Sequence, residues 1–332
     1  MLAKDLHHLF ESFNNVRVLI IGDAMVDAYI WGKVNRLSPE APVPIVTVDK
    51  KEARLGGAAN VALNVQAMGA TPILCSIIGE DMYGREFMDL MQTQKLTTQA
   101  IFKSNQRVTT VKTRIIGNNH HLLRVDEEMQ SDVSLEETGM MLKAIFSMLE
   151  NNAIDVIVFE DYDKGVINHE LIHKVVIEAT KKKIPVAVDP KKKNFQNYKN
   201  VTLFKPNLKE LKDGIRIDFD FTNEEILEAV AKELKTKSSI ENILITLSEK
   251  GMYISGKTMQ KIIPAHVRNI ADVSGAGDTV ISVASLCLAL KLDPVLMTEL
   301  ANIAGGMVCE KVGVAPINKE QFLQESITLL CK

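Results

Sequence analysis

Two glycines and two carboxylates lie within one short segment, Asp272-Val273-Ser274-Gly275-Ala276-Gly277-Asp278-Thr279, and a mostly apolar run follows it as far as Leu286. An apolar run of this length predicts a buried helix, so a glycine-rich turn would open that helix. The first N–H groups of a helix have no partner within the helix and carry partial positive charge, which suits phosphate oxygens. The segment therefore predicts an anion site.

The chemistry that fits such a site is phosphoryl transfer. Gly275, Ala276 and Gly277 would present backbone N–H groups to the phosphate, and both glycines would allow a positive φ without a Cβ clash. Asp278 would stand beside the anion as general base for an attacking hydroxyl. Because so short a motif is not specific, the alternative is a tight loop with an N-cap aspartate.

Two segments near the N-terminus carry further candidate residues. The run from Val16 to Ile21 is apolar throughout, which is typical of a strand buried on both faces of a parallel sheet, and Gly22-Asp23-Ala24-Met25-Val26-Asp27 follows it. Ligands of open α/β sheets bind at the carboxyl ends of such strands, so Asp23 and Asp27 are expected at the edge of a site. An aspartate in this position can also be only a turn residue.

A glycine pair, Gly56-Gly57, precedes an alanine-rich helix that has Asn60 in its first turn. The pair indicates either close approach of a ligand to the backbone or tight packing of the helix against the sheet. The Asn60 amide can donate to and accept from sugar hydroxyls.

Strands and helices alternate from residue 71 onward, which predicts an α/β fold with a doubly wound, mostly parallel sheet in a single domain over residues 1–332. Polar residues follow several predicted strands, and parallel strands bring such ends to one edge of the sheet. These segments are Glu160 to Gly165, Asp189-Pro190-Lys191, Lys205 to Glu210 and Thr246 to Gly251.

Two stretches differ from this pattern and predict a small antiparallel sheet that acts as a lid, formed from about residues 31–50 and 107–126. Prolines between Ser38 and Pro44 exclude a helix there, and Gly117-Asn118-Asn119 is a hairpin signal. Apolar side chains on these strands would need a partner, so a homodimer through the lids is expected from Ile45, Val111, Ile115, Leu123 and Val125.

Composition excludes several classes of protein. The chain has 332 residues, 46% of them hydrophobic, and a net charge of -3, which gives no electrostatic case for nucleic acid or an anionic membrane. Its four cysteines lie far apart and are expected to be core thiols in a reducing compartment. The N-terminus resembles no signal peptide, and no apolar run reaches about 18 residues, so a cytoplasmic protein is expected.

Three motifs, in this order and at these separations, resemble the ribokinase or carbohydrate kinase family of sugar kinases: Gly56-Gly57-Ala58-Ala59-Asn60, Asn207-Leu208-Lys209-Glu210 and Gly275-Ala276-Gly277-Asp278. The resemblance runs from about residue 16 to 315. It implies a ribokinase-like fold, ATP as phosphoryl donor and Mg²⁺ as cofactor. Some relatives also bind a monovalent cation, for which Asp272 and Ser274 are candidates.

The resemblance also implies roles for individual residues. Asp278 would be the base beside the N–H groups of Gly275, Ala276 and Gly277. Asn207, Leu208, Lys209 and Glu210 would lie at the nucleotide, with Glu210 binding Mg²⁺ through water, and Thr246, Ser248 and Gly251 would border the nucleotide. Asp27, Gly56, Gly57, Asn60 and Asp161 would bind the sugar, and the candidates for a substrate phosphate are Arg114, Arg124, Lys164 and Lys191.

Within the family, the segments around Asp23, Pro39, Asp161 and Asp189 resemble kinases that convert a heptose 7-phosphate to the 1,7-bisphosphate on the route to ADP-heptose and lipopolysaccharide. Such kinases are often fused to an adenylyltransferase, and a stand-alone kinase is expected here. Two departures are Ser274, where the family usually has threonine, and the lysines after Pro190. The alternatives are a kinase of another sugar or sugar phosphate and a catalytically silent sugar or nucleotide sensor.

Overall fold

The computed structural model describes residues 2–151, 154–216, 224–257 and 259–331. In chain order the strands are β1 (Arg17–Gly22), β2 (Ala24–Leu37), β3 (Pro44–Gly57), β4 (Thr71–Gly79), β5 (Ile101–Ser104), β6 (Thr110–Gly117), β7 (His120–Glu127), β8 (Val156–Glu160), β9 (Val186–Asp189), β10 (Leu203–Phe204), β11 (Asn242–Thr246), β12 (Met252–Ser255) and β13 (Gln260–Ile263). The helices are α1 (Ala3–Ser12), α2 (Ala58–Ala67), α3 (Met82–Thr93), α4 (Leu135–Glu150), α5 (His169–Lys182), α6 (Leu208–Ile215), α7 (Glu224–Ser238), α8 (Ala276–Ala289), α9 (Pro294–Val308) and α10 (Lys319–Leu330).

The main sheet has the order β13-β12-β11-β10-β9-β8-β1-β4-β5. Its strands β11, β10, β9, β8, β1, β4 and β5 run parallel to one another. Alternate residues of β1 enter different cores: Val18 and Ile20 pack with the helices of one face, and Leu19 and Ile21 pack with those of the other. This is why the strand is apolar at every position. The predicted doubly wound α/β fold is confirmed, and β12 and β13 extend it as an antiparallel edge.

The smaller sheet has the order β3-β2-β6-β7 and is called the lid sheet below. Its pairs β2–β3 and β6–β7 are antiparallel, but β2 and β6 are parallel, so the expectation of an antiparallel sheet is wrong at the junction of the two stretches. Its long strands β2 and β3 run farther toward the main sheet than the predicted ranges, because Ala24 pairs with Gly57 at their inner end. Asn118 and Asn119 connect β6 to β7 with φ of 51° and 65°, which is the positive φ that a two-residue hairpin turn requires.

One residue of the expected dimer surface lies elsewhere. Val111 pairs with Val26 at the inner end of the lid sheet and is fully buried in the main core, so it cannot contact a second copy. Leu123 and Val125, on the edge strand β7, are 58% and 43% exposed. An apolar patch therefore exists on the lid sheet, without Val111.

Two other expectations concern the whole chain. All four cysteines are free, and Cys75, Cys287 and Cys309 are buried, as expected of core thiols. Within the described ranges, the structure contains no helix that combines the length and apolarity needed to cross a bilayer.

Candidate active site

Helix α8 begins at the glycine-rich segment. Gly275 is its N-cap with φ 80° and ψ 2°, a left-handed conformation that glycine adopts without strain. Gly277 lies inside the first turn and has no positive φ, contrary to the expectation for both glycines. The Ala276 N–H donates to the Val273 carbonyl at 3.3 Å, so the N–H groups best placed for an anion are those of Gly277 and Asp278.

Asp278 points from this first turn into a buried site and is 4% exposed. One carboxylate oxygen, Oδ2, accepts a hydrogen bond from Asn60 Nδ2 at 2.7 Å, and Oδ1 accepts one from the Tyr162 hydroxyl at 2.7 Å. Burial raises the pKa of Asp278, while these two hydrogen bonds lower it. Among the described residues no cation forms an ion pair with Asp278, so its charge is stabilised by neutral donors alone.

Asp27 lies beside this group on strand β2. Its carboxylate forms a buried ion pair with Arg114 of β6, and it is close enough to Asp278 to raise the pKa of the latter. Gly56 makes room for it, because a Cβ on Gly56 would overlap the Asp27 carboxylate. Gly57, the N-cap of α2, has φ 58°. The structure thus brings together Asp27, Gly56, Gly57, Asn60 and Asp278 from three segments of the chain.

The loop after β8 is fixed by two buried aspartates. Asp23 accepts hydrogen bonds from the backbone N–H groups of Tyr162, Lys164 and Val166. Asp161, a predicted sugar ligand, accepts hydrogen bonds from Asn194 and Tyr198 and is 1% exposed. Burial and the nearby charge of Asp23 raise the pKa of Asp161 to about 7. Both carboxylates face protein donors, so their observed contacts order the loop.

The four candidate phosphate ligands lie in different surroundings. Arg114 is held by Asp27, and its guanidinium lies 5.3 Å from the centre of the Tyr29 ring. Lys164 pairs with Glu128 at 2.8 Å and is largely buried. Lys191 pairs with Glu210 and lies 5.3 Å from the Tyr162 ring centre. Arg124 lies opposite Arg114 in the register of β6 and β7, pairs with Asp126 on its own strand and is 57% exposed, so it is the most exposed of the four candidates.

The residues predicted to border the nucleotide meet at neighbouring strand ends. Asn207 forms an isolated bridge with Thr246, and Asn207 and Glu210 cap helix α6 reciprocally, each side chain accepting a backbone N–H at 2.8 Å. Leu208 is partly buried and Lys209 is exposed in the first turn of that helix. Ser248 begins a short 3₁₀ turn, and Gly251 closes it with φ 96°, where a Cβ would overlap the Ile263 carbonyl.

The sequence placed four further residues of the site at strand ends without giving them a role: Tyr162, which is partly buried, and Glu160, Asp189 and Lys205, which are buried. Lys205 Nζ binds Asp189 Oδ2 at 2.8 Å, and a Cβ on Gly277 would lie 3.7 Å from both atoms. Burial raises the pKa of Glu160 well above its usual range, and the nearby Asp189 and Asp278 raise it further. The signal that could have identified them is their position in the polar segments that follow predicted strands.

These contacts form one continuous site. Tyr162 links Asp278 to Lys191, and Lys191 links onward to Glu210 and Asn207, which lie at the predicted nucleotide edge. A buried carboxylate at the start of a helix therefore lies between the lid-side ion pair of Asp27 and Arg114 and a second group of charged residues, Lys191, Lys205 and Glu210. An acceptor hydroxyl on one side and a phosphate chain on the other would both reach it.

Solved structures of other proteins share this fold. Phosphofructokinase-2 from Escherichia coli in complex with potassium matches 96% of this chain and 99% of its own, with a TM-score of 0.78 at 15% identity. Arabidopsis thaliana ribokinase complexed with ribose and ATP matches 93% of this chain and 98% of its own, with a TM-score of 0.71 at 14% identity. At such identities the likeness shows the fold, which is ribokinase-like as predicted.

Relatives found by sequence comparison have higher sequence identity to this chain than these solved structures do. The bifunctional protein HldE of Geotalea uraniireducens is 36% identical over 328 residues, which cover 98% of this chain and 66% of that protein. HldE of Helicobacter hepaticus is 37% identical over 310 residues, covering 93% of this chain and 63% of that protein. The chain spans just under two thirds of the length of these relatives. The model of the pfkB family of carbohydrate kinases matches residues 16–321, and the chain therefore belongs to that family.

Proposed function

We propose that this sugar kinase transfers the γ-phosphoryl group of ATP to the anomeric hydroxyl of D-glycero-D-manno-heptose 7-phosphate, giving the 1,7-bisphosphate used for ADP-heptose and lipopolysaccharide synthesis. The observation that carries the kinase chemistry is the buried Asp278 carboxylate, held by Asn60 and Tyr162 in the first turn of α8. The heptose is supported by the sequence motifs and by relatives named HldE.

In the proposed reaction, Asp27 and Asn60 bind sugar hydroxyls and orient the anomeric hydroxyl toward Asp278. Asp278 accepts the hydroxyl proton as the sugar oxygen attacks the γ-phosphorus, the bond from that phosphorus to the β-bridging oxygen breaks, and ADP leaves. The N–H groups of Gly277 and Asp278 face the transferring group at the positive end of α8, where they stabilise its charge. The proton that Asp278 gains returns to solvent after product release.

The residues of the nucleotide side fit a divalent cation. Glu210 supplies a carboxylate next to Lys191, and Asp189 and Glu160 carry buried carboxylate oxygens nearby. Mg²⁺ prefers oxygen ligands and keeps several waters, so Glu210 would bind it through water, as the family resemblance implies. When bound, Mg²⁺ neutralises phosphate charge. Lys191 and Lys205, each paired with an acid in this structure, are the cations that would contact phosphates.

The substrate's own phosphate requires a cation on the sugar side. Arg114 and Lys164 are the candidates best supported by position, because both are largely buried and both lie where the lid sheet meets the main sheet. Arg114 also has the planar donor geometry that binds phosphate through two hydrogen bonds. Each would exchange its present carboxylate partner for the phosphate.

The test is ADP release from ATP in the presence of a panel of sugar phosphates and free sugars. We expect heptose 7-phosphate to give the highest kcat/KM, and Asp278→Asn to lower kcat by at least about 100-fold while ATP binding is kept. A higher kcat/KM for another member of the panel would assign that sugar instead. Absence of turnover with every member would leave the sensor as the function.

Two further properties belong to this proposal. The exposed Leu123 and Val125 support a homodimer formed through the lid sheets. A monovalent cation near Asp272 is tested by comparing rates in potassium and in tetramethylammonium salts. Asp272 now accepts hydrogen bonds from the N–H groups of Ser274 and Gly313, so it already orders the loop before the anion site.

A further inference from the structure

Glu160 and Asp189 end neighbouring parallel strands and lie opposite each other in the register of β8 and β9. Paired residues of adjacent strands point their side chains to the same face of a sheet. The Asp189 carboxylate lies below the first turn of α8, because a Cβ on Gly277 would be 3.7 Å from its Oδ2 atom. Two carboxylates thus sit side by side under the proposed phosphate site.

Three of the four oxygens of this pair have no hydrogen-bond donor in the described part of the chain. They are Oε1 and Oε2 of Glu160 and Oδ1 of Asp189, and all three are buried. The fourth, Asp189 Oδ2, binds Lys205. Glu160 itself is 0% exposed. A buried polar atom without a partner is costly, so an arrangement with three of them on adjacent residues requires a physical reason.

Either a proton or a cation can satisfy such oxygens. A single proton on Glu160 that is donated to Asp189 Oδ1 satisfies two of these oxygens and leaves the third without a partner, whereas a divalent cation can contact oxygens of both residues. Mg²⁺ is commonly bound by one or two carboxylates, with substrate phosphates and waters completing its shell. Among the described residues no group of three or more acidic, histidine or cysteine side chains could hold a metal ion, so phosphate oxygens and waters would have to complete the shell of a cation bound here.

We propose that Glu160 and Asp189 are direct ligands of the divalent cation that accompanies the nucleotide, below Gly277. This inference deepens the proposed function, because it assumes that a nucleotide phosphate chain reaches the start of α8. The cation would then be held from two sides, by these carboxylates at the ends of β8 and β9 and through water by Glu210 at the start of α6. This assignment gives Glu160 a direct role in binding the cation.

Binding of Mn²⁺, measured by loss of its free electron paramagnetic resonance signal, tests the inference without turnover. The titration uses the full chain with the β,γ-imido analogue of ATP. We expect Glu160→Gln to raise the Kd for Mn²⁺ by about 10-fold or more. The matched control is Asp278→Asn, which removes a buried charge from the same region but neither of the proposed ligands, and we expect its Kd to stay close to that of the wild type.

Two results would overturn the inference. One is an unchanged Mn²⁺ affinity in a folded Glu160→Gln variant, and the other is an equal loss in both variants, which would mean that only the total charge matters. If the variant does not fold, a crystal structure of the wild type with Mn²⁺ and the analogue decides. Manganese at coordination distance from Glu160 supports the site, and manganese bound at Glu210 alone excludes it.

The outcome is separable from the proposed function. If the wild type binds Mn²⁺ through Glu160 but phosphorylates no sugar, the metal site stands and the function fails. If the wild type phosphorylates heptose 7-phosphate and Glu160→Gln binds Mn²⁺ normally, the function stands and the metal site fails.

Discussion

Replacing Tyr162 with phenylalanine removes one hydroxyl and keeps the ring that packs beside Lys191. That hydroxyl donates to Asp278 Oδ1 at 2.7 Å, and the bond is one of two that lower the pKa of Asp278 against the effect of burial. Without the donor, the carboxylate is less stable relative to its protonated form. The pKa of Asp278 therefore rises.

The size of the rise follows from the energy of the bond. A hydrogen bond to a charged group contributes about 1.5–3 kcal/mol, and about 1.4 kcal/mol corresponds to one pKa unit. The expected rise is therefore about one to two units. Asp278 must be ionised to accept a proton, so activity is lost as pH falls through its pKa, and the variant should lose activity at a higher pH than the wild type.

The assay is kcat/KM for the sugar phosphate as a function of pH, because this ratio reports the pKa of the free enzyme. We expect the acidic limb of the Tyr162→Phe profile to move to higher pH by about one to two units, with activity largely recovered above it. The matched control is Tyr198→Phe, which removes a buried hydroxyl that donates to Asp161 at 2.9 Å instead of to Asp278.

An acidic limb at the wild-type pH in Tyr162→Phe would refute the reasoning, as would an equal displacement in Tyr198→Phe. A uniform loss of rate at every pH would show that Tyr162 orients the site without changing the pKa of the base.

Arg114→Lys should raise the KM for the sugar phosphate by about 10-fold or more, since bidentate contacts to a phosphate are lost, whereas Arg124→Lys, on the edge strand β7 with an exposed side chain that pairs with Asp126, should leave KM unchanged; equal effects would contradict the assignment. Gly275→Ala should lower the free energy of unfolding by more than about 1 kcal/mol in urea because of its positive φ, while Gly139→Ala, in helix α4 with open space around it, should raise stability by up to about 1 kcal/mol. Leu123→Asp should convert a dimer to a monomer in sedimentation at micromolar concentration, and a wild-type monomer would exclude the lid-sheet interface.

The fold was predictable because the strands can be recognised from the pattern of their own residues. The uninterrupted apolar run of β1 predicted a strand covered on both faces, and its two sets of side chains enter two different cores. The glycine-rich start of α8 and the Asn60 segment were found in the same way, from local chemistry. Their convergence followed from the rule that ligands bind at the carboxyl ends of parallel strands.

The rest depends on contacts between distant segments. Tyr162 reads as an ordinary loop residue, and only the packed structure brings its hydroxyl to a carboxylate 116 positions away. Val111 looked like an exposed lid residue because its strand alternates, but its pairing with Val26 places it in the main core. Glu160 is an acidic residue that is 0% exposed and lies opposite Asp189, and its burial next to a second carboxylate becomes visible only in the folded chain.

The position of Asp23 limits which parts of this enzyme could change if its acceptor sugar changed. It sits between β1 and β2, and its carboxylate sets the shape of a loop 139 to 143 positions farther along the chain, where Tyr162 and Lys164 lie. Strand β2, which starts at the next residue, carries Asp27. Asp23 thus helps to fix the position of Asp27 relative to Tyr162, whose hydroxyl donates to Asp278. Changes in the acceptor sugar would have to be accommodated by the lid sheet, while this inner frame stays constant.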